Sequence, residues 1–370
     1  MPTSGSKAPA PDELEVSIFG PGKGESILVH LGDGQWMIVD SCRDQFDGRI
    51  PPLDYLRNIG VDPGNSVQLI VGTHAHDDHI AGMAAVVEAC PSASLVCSAA
   101  VSSEEFYALA ATDKRVEEIV RVGVYKEYRR IFDIVRARGR TKGQRRPLVR
   151  ATEQLPLLSI PVGNDRASVL ALSPSQEAIT RSLQKLANGA LVIGQTPRPP
   201  AADPNELAVA LWIEVGDRCV LLGADLLNGP AACGWQAVLD WHRPPTKAEV
   251  IKVPHHGAPN AHWRQVWTDL VVPGPLALMT PYRGGATKRP APSDIVRLLD
   301  LAPRSYITAS PRKVPRPRGV RSTAALINQL GKNVQDPWGR SGQVRARTPI
   351  SDNAWSVTHV PPASELAVYR

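Results

Sequence analysis

The chain has 370 residues, 43% hydrophobic and 21% charged, with a formal net charge of +6. That length supports a large core in one elaborated domain or two, and the balance excludes an intrinsically disordered chain. No run of about 18 uninterrupted apolar residues occurs, so no membrane-spanning helix and no membrane partner are expected.

Residues 1–12 lack the apolar middle of a signal peptide and read as a disordered lead-in. Alternating apolar residues then predict strands over 14–19, 26–31 and 35–40, joined by a glycine-rich turn at 20–25 and a tight Asp33-Gly34 turn. A helix is expected over 52–60, ending at Gly60, then a buried strand over 69–72 and a helix over 80–90. Another strand falls at 94–97. This alternation of strands and helices indicates an α/β layered fold.

Residues 102–140 differ in character, with helical spacing and a polar face of one sign that includes Arg129, Arg130, Arg136 and Arg138. Such a face is either solvated or a contact surface for nucleic-acid phosphates. Strands resume at 157–161 and 168–172. A hairpin spans 208–223 and ends at Asp225; further strands at 249–254 and 276–280 flank a His255-His256-Gly257 sequence. The tail from 311 is basic and proline-rich, with a helix expected around 322–331 and strands at 342–347 and 355–358. Five scattered cysteines without CxxC spacing (Cys42, Cys90, Cys97, Cys219, Cys233) read as reduced, buried thiols of a cytoplasmic protein.

The segment VGTHAHDDHIAG (71–82) carries the chemistry. His74 and His76 are alternate residues of an extended segment, so both reach one point. Asp78 and His79 come around the turn toward a neighbouring point. Imidazole and carboxylate together suit a transition metal such as zinc or manganese. Asp77 reads as a solvated residue at a helix start.

The HxHxDH pattern resembles the first ligand motif of the metallo-β-lactamase superfamily. LLGADL (221–226) is similar to that superfamily's bridging-aspartate motif and KVPHHGAPN (252–260) to its final histidine motif. GPGKGESILVHLGDGQWMIVDS (20–41) and NELAVALWIEVGDRCVLLGAD (205–225) resemble the competence-protein (ComEC-type) branch, whose soluble domains are linked to DNA processing. The resemblance covers roughly residues 14–290.

The resemblance implies a four-layer αββα sandwich over residues 13–310, with a helical basic insertion at about 102–150. Residues 311–370 would be a C-terminal extension packing on the same domain. It implies one or two divalent ions, zinc or manganese, held by His74, His76, Asp78, His79, Asp225 and His256. Asp78, Asp225 and His255 would be catalytic, with His255 a second-layer residue or a donor to substrate. Asp40 would orient a ligand histidine, and Asn205 would approach the first ion. No histidine lies between His79 and His242, so the first ion has only His74, His76 and Asp225. Lys252 reads as an ordinary strand residue, and His30, His242, His262 and His359 as structural or surface groups.

The activity implied is metal-dependent hydrolysis, with a phosphodiesterase or nuclease acting on nucleic acid or nucleotides favoured and a role in bacterial antiviral defence suggested. Two other readings remain open at this point: an ester or lactone hydrolase, and a non-enzymatic, metal-stabilised binding subunit. Protein partners are not indicated.

Overall fold

A computed structural model describes residues 7–20, 24–99, 122–140, 148–190, 203–284, 287–312, 340–352 and 354–370. Two eight-stranded sheets face each other. The first has the order β15-β14-β1-β2-β3-β4-β5-β6, built from β1 (Glu13–Gly20), β2 (Ser26–Gly32), β3 (Gln35–Val39), β4 (Val67–Gly72), β5 (Ser94–Ser98), β6 (Leu148–Ala151), β14 (Gly342–Pro349) and β15 (Ser356–Val360). The second has the order β16-β13-β12-β11-β10-β9-β8-β7. Its strands are β7 (Leu155–Val162), β8 (Asp165–Ala171), β9 (Leu211–Val215), β10 (Arg218–Leu222), β11 (Ala248–Lys252), β12 (Val271–Met279), β13 (Ser305–Ile307) and β16 (Ser364–Glu365).

Three apolar clusters define four layers. Successive strand residues point to opposite faces, so every second residue enters the space between the sheets. Leu14, Val16, Ile18, Ile27, Val29, Met37, Val39, Leu69 and Val71 of the first sheet meet Leu211, Ile213, Val220, Leu222, Val250, Leu276 and Leu278 of the second. The alternate residues face outward. Trp36, Ile38 and Ile70 pack under helices α1 (Pro51–Asn58) and α4 (Met83–Ala89). Trp212, Leu221, Ile251 and Met279 pack under the helices at 234–241 and 292–301. This is the expected four-layer αββα sandwich.

Local chemistry sets the boundaries. Asp33 and Gly34, with φ of 48° and 68°, turn β2 into β3. Prolines at its first two positions start α1, where a missing N–H costs nothing. Asp62 caps α2 (Pro63–Ser66) by accepting from the Gly64 N–H at 3.0 Å.

The helix expected over 80–90 is two pieces, α3 (Asp77–Ile80) and α4. Gly82 breaks it with φ of 88°, and the Ser41 N–H donates to the His79 carbonyl at 2.8 Å, pinning the first piece to the end of β3. Alternation and turn signals did not indicate β6, β13, β16 or the helices α6 (Gln176–Ala190), α7 (Gly234–Trp241) and α8 (Pro292–Leu301).

Within the basic block, α5 (Val122–Arg140) buries Tyr128 and Ile131 against the outer face of the first sheet. Arg129, Arg130 and Arg136 are exposed, with Arg130 4.0 Å from Glu88. Arg138 departs from the expectation of a uniformly presented face. It is buried and donates to the Val87 carbonyl near the end of α4, so it cannot serve as a phosphate contact. The helix expected at 322–331 lies outside the described residues. No described helix is long and apolar enough to cross a membrane. All five cysteines are free and buried.

The C-terminal residues complete both sheets. β14 runs antiparallel to β1 over the whole of that strand, from Glu13↔Pro349 to Gly20↔Gly342. A fully buried carboxylate, Glu15, secures the join. It accepts from Arg347 Nε at 2.7 Å, the Tyr55 hydroxyl at 3.0 Å and the Ser17 hydroxyl at 2.7 Å. Removing one partner of such a pair leaves an uncompensated charge. Arg347→Ala is therefore expected to cost about 3 kcal/mol, read as a lower denaturation midpoint with an unchanged slope. Glu15→Gln combined with Arg347→Met is expected to regain most of that loss.

Candidate metal centre

The site lies where parallel strands of both sheets reach their carboxyl ends. β3 delivers Asp40, β4 the segment Thr73–His79, β10 Asp225, β11 His255 and His256, and β12 Thr280. Backbone strain shapes these ends. Asp40 (φ 58°), Ala224 (43°), His255 (46°) and His256 (53°) are all left-handed, each costing on the order of 1 kcal/mol, and Gly257 follows at 82°. The bend at 255–257 sends the two adjacent histidines in different directions.

Each central imidazole is fixed by its Nδ1. Asp40, 1% exposed, accepts from His79 Nδ1 at 2.7 Å, the Thr73 N–H at 2.7 Å and the Thr73 hydroxyl at 2.7 Å. Thr73 Oγ1 in turn accepts from His74 Nδ1 at 2.9 Å. His256 Nδ1 donates to the Thr280 carbonyl at 3.1 Å, and the ring stacks on Tyr282 with centroids 5.5 Å apart. Such partners set the tautomer and turn Nε2 toward a shared centre.

There the donors converge. His79 Nε2 lies 3.4 Å from Asp225 Oδ2 and 3.9 Å from Asp78 Oδ2. His256 Nε2 lies 3.4 Å from Asp225 Oδ2 and 3.6 Å from Asp78 Oδ2. Zinc bonds of about 2.0–2.2 Å give a tetrahedron with edges of about 3.3–3.6 Å, and these four nitrogen–carboxylate separations run from 3.4 to 3.9 Å. Both Nε2 atoms are buried without a hydrogen bond among the described residues, as expected of donors awaiting a cation. The donor set therefore fits a divalent transition ion.

Around a second position, His74 comes within 4.8 Å of His79 and Asp225, and His74 Nε2 is 3.2 Å from His76 Nδ1. This side offers fewer donors. Asp77 is exposed. Asn205 is 4% exposed and stands beside His255, not among these donors: its Nδ2 is 3.3 Å from His255 Nε2, and its Oδ1 is buried without a partner. The other ring nitrogen of His255 is 3.1 Å from Asn260 Oδ1. Both nitrogens of His255 thus face amides instead of the central carboxylates, and burial lowers its pKa, so a neutral ring is expected at neutral pH.

Sequence reasoning missed Glu25 and misread Lys252. Lys252, 1% exposed, is no ordinary strand residue: its ammonium lies 2.6 Å from Glu25 Oε1, 2.7 Å from the Ala224 carbonyl and 3.3 Å from Asp225 Oδ1. Glu25 Oε2 accepts from the Thr280 hydroxyl at 2.5 Å. The signal was period two: Glu25 shares a face with Ile27 and Val29, Lys252 with Val250, and Thr280 with Leu276 and Leu278. All three rows point between the sheets. His242, also buried, sits edge-on to Trp212 and Trp241, and His30 is held between the Glu13 carbonyl and the Gly34 N–H.

Electrostatics follow from this crowding. Burial disfavours charge throughout, yet the Asp225, Asp40 and Asp78 carboxylates raise His79 well above its ordinary range. Asp225, Asp78 and Glu25 push His256 up to about 10 against the same penalty. The histidines, and Lys252 in the case of Asp225, hold Asp78 and Asp225 below the usual carboxylate range. Burial lowers His74 and His76, leaving them neutral.

Residues 19–136 match the family model of the metallo-beta-lactamase superfamily. Among solved structures, the Bacillus subtilis metallo-beta-lactamase fold protein YhfI aligns over 65% of this chain and 70% of its own, at 14% identity and a TM-score of 0.31. The MIM-2 metallo-beta-lactamase aligns over 67% and 75%, at 16% identity and a TM-score of 0.32. A mutant metallo-beta-lactamase from Cronobacter sakazakii aligns over 90% and 89%, at 13% identity and a TM-score of 0.31. No curated protein matches the chain. The segment bearing Glu25, Asp40 and the histidine cluster is thus similar to metallo-β-lactamase superfamily sequence, within an αββα sandwich of that fold class.

Two outcomes are expected. A Cβ at Gly24, where φ is 108°, would lie 1.6 Å from the Asp78 carbonyl oxygen, so Gly24→Ala should displace Asp78 and lower metal content at equal protein yield. In chelated protein, a His256 pKa raised from 6.5 to about 10 favours the folded state below pH 6.5, and this contribution disappears as pH rises toward 10. Melting temperature in chelator should fall over that range, while metal affinity measured by competition should rise as the displaced protons become easier to lose.

Proposed function

We propose that this protein is a metal-dependent hydrolase acting by preference on phosphodiesters of nucleic acids or nucleotides. The observation that carries the hydrolase reading is the pair of buried Nε2 atoms of His79 and His256, which make no hydrogen bond and lie 3.4–3.9 Å from carboxylate oxygens of Asp78 and Asp225. The substrate class is supported by the resemblance of residues 20–41 and 205–225 to the ComEC-type branch and by the exposed Arg129, Arg130 and Arg136.

When bound, a divalent ion at such donors makes an attached water acidic enough to attack and stabilises developing negative charge on substrate oxygens. The protein's own groups do the rest. His74, His79, Asp225 and His256 are held in fixed orientations by buried hydrogen bonds or ion pairs, so little reorganisation is needed at the moment of reaction. Asp78, whose side chain is 24% exposed, is the carboxylate of the set that solvent reaches. His255 Nε2 lies 3.3 Å from the Asn205 amide nitrogen.

Hydrolysis of a small ester or lactone is the second reading. The burial of Arg138 and the nearness of Arg130 to Glu88 favour it, because both reduce the positive charge offered to a polyanion. Metal-reconstituted protein should cleave bis(p-nitrophenyl) phosphate or labelled DNA or RNA, and Asp78→Ala or His256→Ala should reduce that turnover by about 100-fold or more. Replacing Arg129, Arg130 and Arg136 by Gln should raise KM for nucleic acid and reduce the salt dependence of its binding by about 2–3 ions. Turnover of a lactone or p-nitrophenyl ester with no cleavage of any phosphodiester would establish the second reading instead.

A further inference from the structure

Lys252 stands in an unusual place for a cation, inside a site built to receive another. Its ammonium has three N–H groups and three acceptors within reach: Glu25 Oε1 at 2.6 Å, the Ala224 carbonyl at 2.7 Å and Asp225 Oδ1 at 3.3 Å. Two of these belong to the left-handed corner, Ala224 and Asp225, from which the carboxylate is projected. Glu25 comes from the opposite sheet and is itself anchored, accepting from the Thr280 hydroxyl and receiving the lysine on its other oxygen. Asp225 is thereby divided: Oδ1 belongs to Lys252, and only Oδ2 faces His79 and His256, at 3.4 Å from each.

We propose that Lys252, braced by Glu25, is a positioning residue that restricts Asp225 to one-oxygen binding of the metal. The inference rests on reading these donors as a metal centre. A free carboxylate beside a divalent ion can swing to offer both oxygens and enlarge the coordination number. Here the ammonium holds one oxygen, so the four donors Asp78, His79, Asp225 and His256 keep a low coordination number. Two features fit this role better than a purely structural ion pair. The lysine reaches past Glu25 to the ligand carboxylate, and it also grips the carbonyl that precedes that ligand. The arrangement places no demand on the protonation of any histidine.

The test uses the full chain, stripped of metal and reloaded with cobalt(II), whose visible absorption is intense in four-coordinate and weak in five- or six-coordinate sites. Lys252→Met leaves Glu25 buried and uncompensated, so the neutral pair Glu25→Gln with Lys252→Met is made alongside it. In whichever variants fold, the visible band is expected to lose intensity relative to wild type as Asp225 Oδ1 joins the metal. Cobalt affinity of the neutral pair, measured by chelator competition, is expected to weaken by about 10–100-fold. A band and affinity in the neutral pair indistinguishable from wild type would overturn the proposal while leaving the metal centre standing. Failure of the wild-type protein to bind cobalt at all would overturn both. Hydrolytic activity enters neither measurement.

Discussion

Charge buried between two sheets has to be balanced within a few ångströms, and that requirement organises the whole active end of this molecule. Glu25, Asp40 and Asp225 are each at most 2% exposed, as are Lys252, His74 and His79, while the apolar rows that should continue the core stop just short of them. An isolated carboxylate there would be prohibitively expensive, so every one is partnered: Asp40 by Thr73 and His79, Glu25 by Lys252 and Thr280, Asp225 by Lys252 and the histidines. The left-handed turns at Asp40, Ala224, His255 and His256 are tolerated because they bring these partners into register. What remains without a hydrogen bond after this internal pairing includes the inward-facing Nε2 atoms of His79 and His256.

Much of this was legible in the chain itself. Alternation located most strands, and three histidines and two aspartates packed into six positions pointed to two neighbouring metal positions. The order of the later motifs brought Asp225 and His256 to them. Asp40 was read as a partner of a ligand histidine, and the structure places it on His79. The groups that escaped notice did so for a physical reason. A glutamate closing a glycine turn and a lysine ending a strand look solvent-facing in isolation. Only the coincidence of three inward rows on two different sheets buries Glu25, Lys252 and Thr280 together, and facing rows are a property of the tertiary fold. Likewise, the spacing of apolar residues over 80–90 is compatible with one helix. It is the tie from Ser41 to His79 that breaks it at Gly82.

The basic block shows the opposite error, charge read as surface when geometry makes it interior. Helical spacing groups Arg138 with Arg129, Arg130 and Arg136, but near the end of α5 its guanidinium turns onto the carbonyl of Val87. A long side chain buries its stem and satisfies its head wherever a carbonyl is free. The helix is thus bound to the outer face of the first sheet by its apolar residues and to α4 by one of its own cations.

One aspect of the topology bears on how the chain is made. β1 is sealed along one side by β2, its neighbour in sequence, but along the other only by β14, whose partner residues emerge more than three hundred positions later. During synthesis the ribosome needs on the order of tens of seconds to supply them. Throughout that interval the strand ELEVSIFG presents an open row of amides and carbonyls beside a buried-type apolar pattern. The nascent protein is therefore most exposed to sticking to its neighbours before its last strands arrive, and premature termination would strand it in that condition.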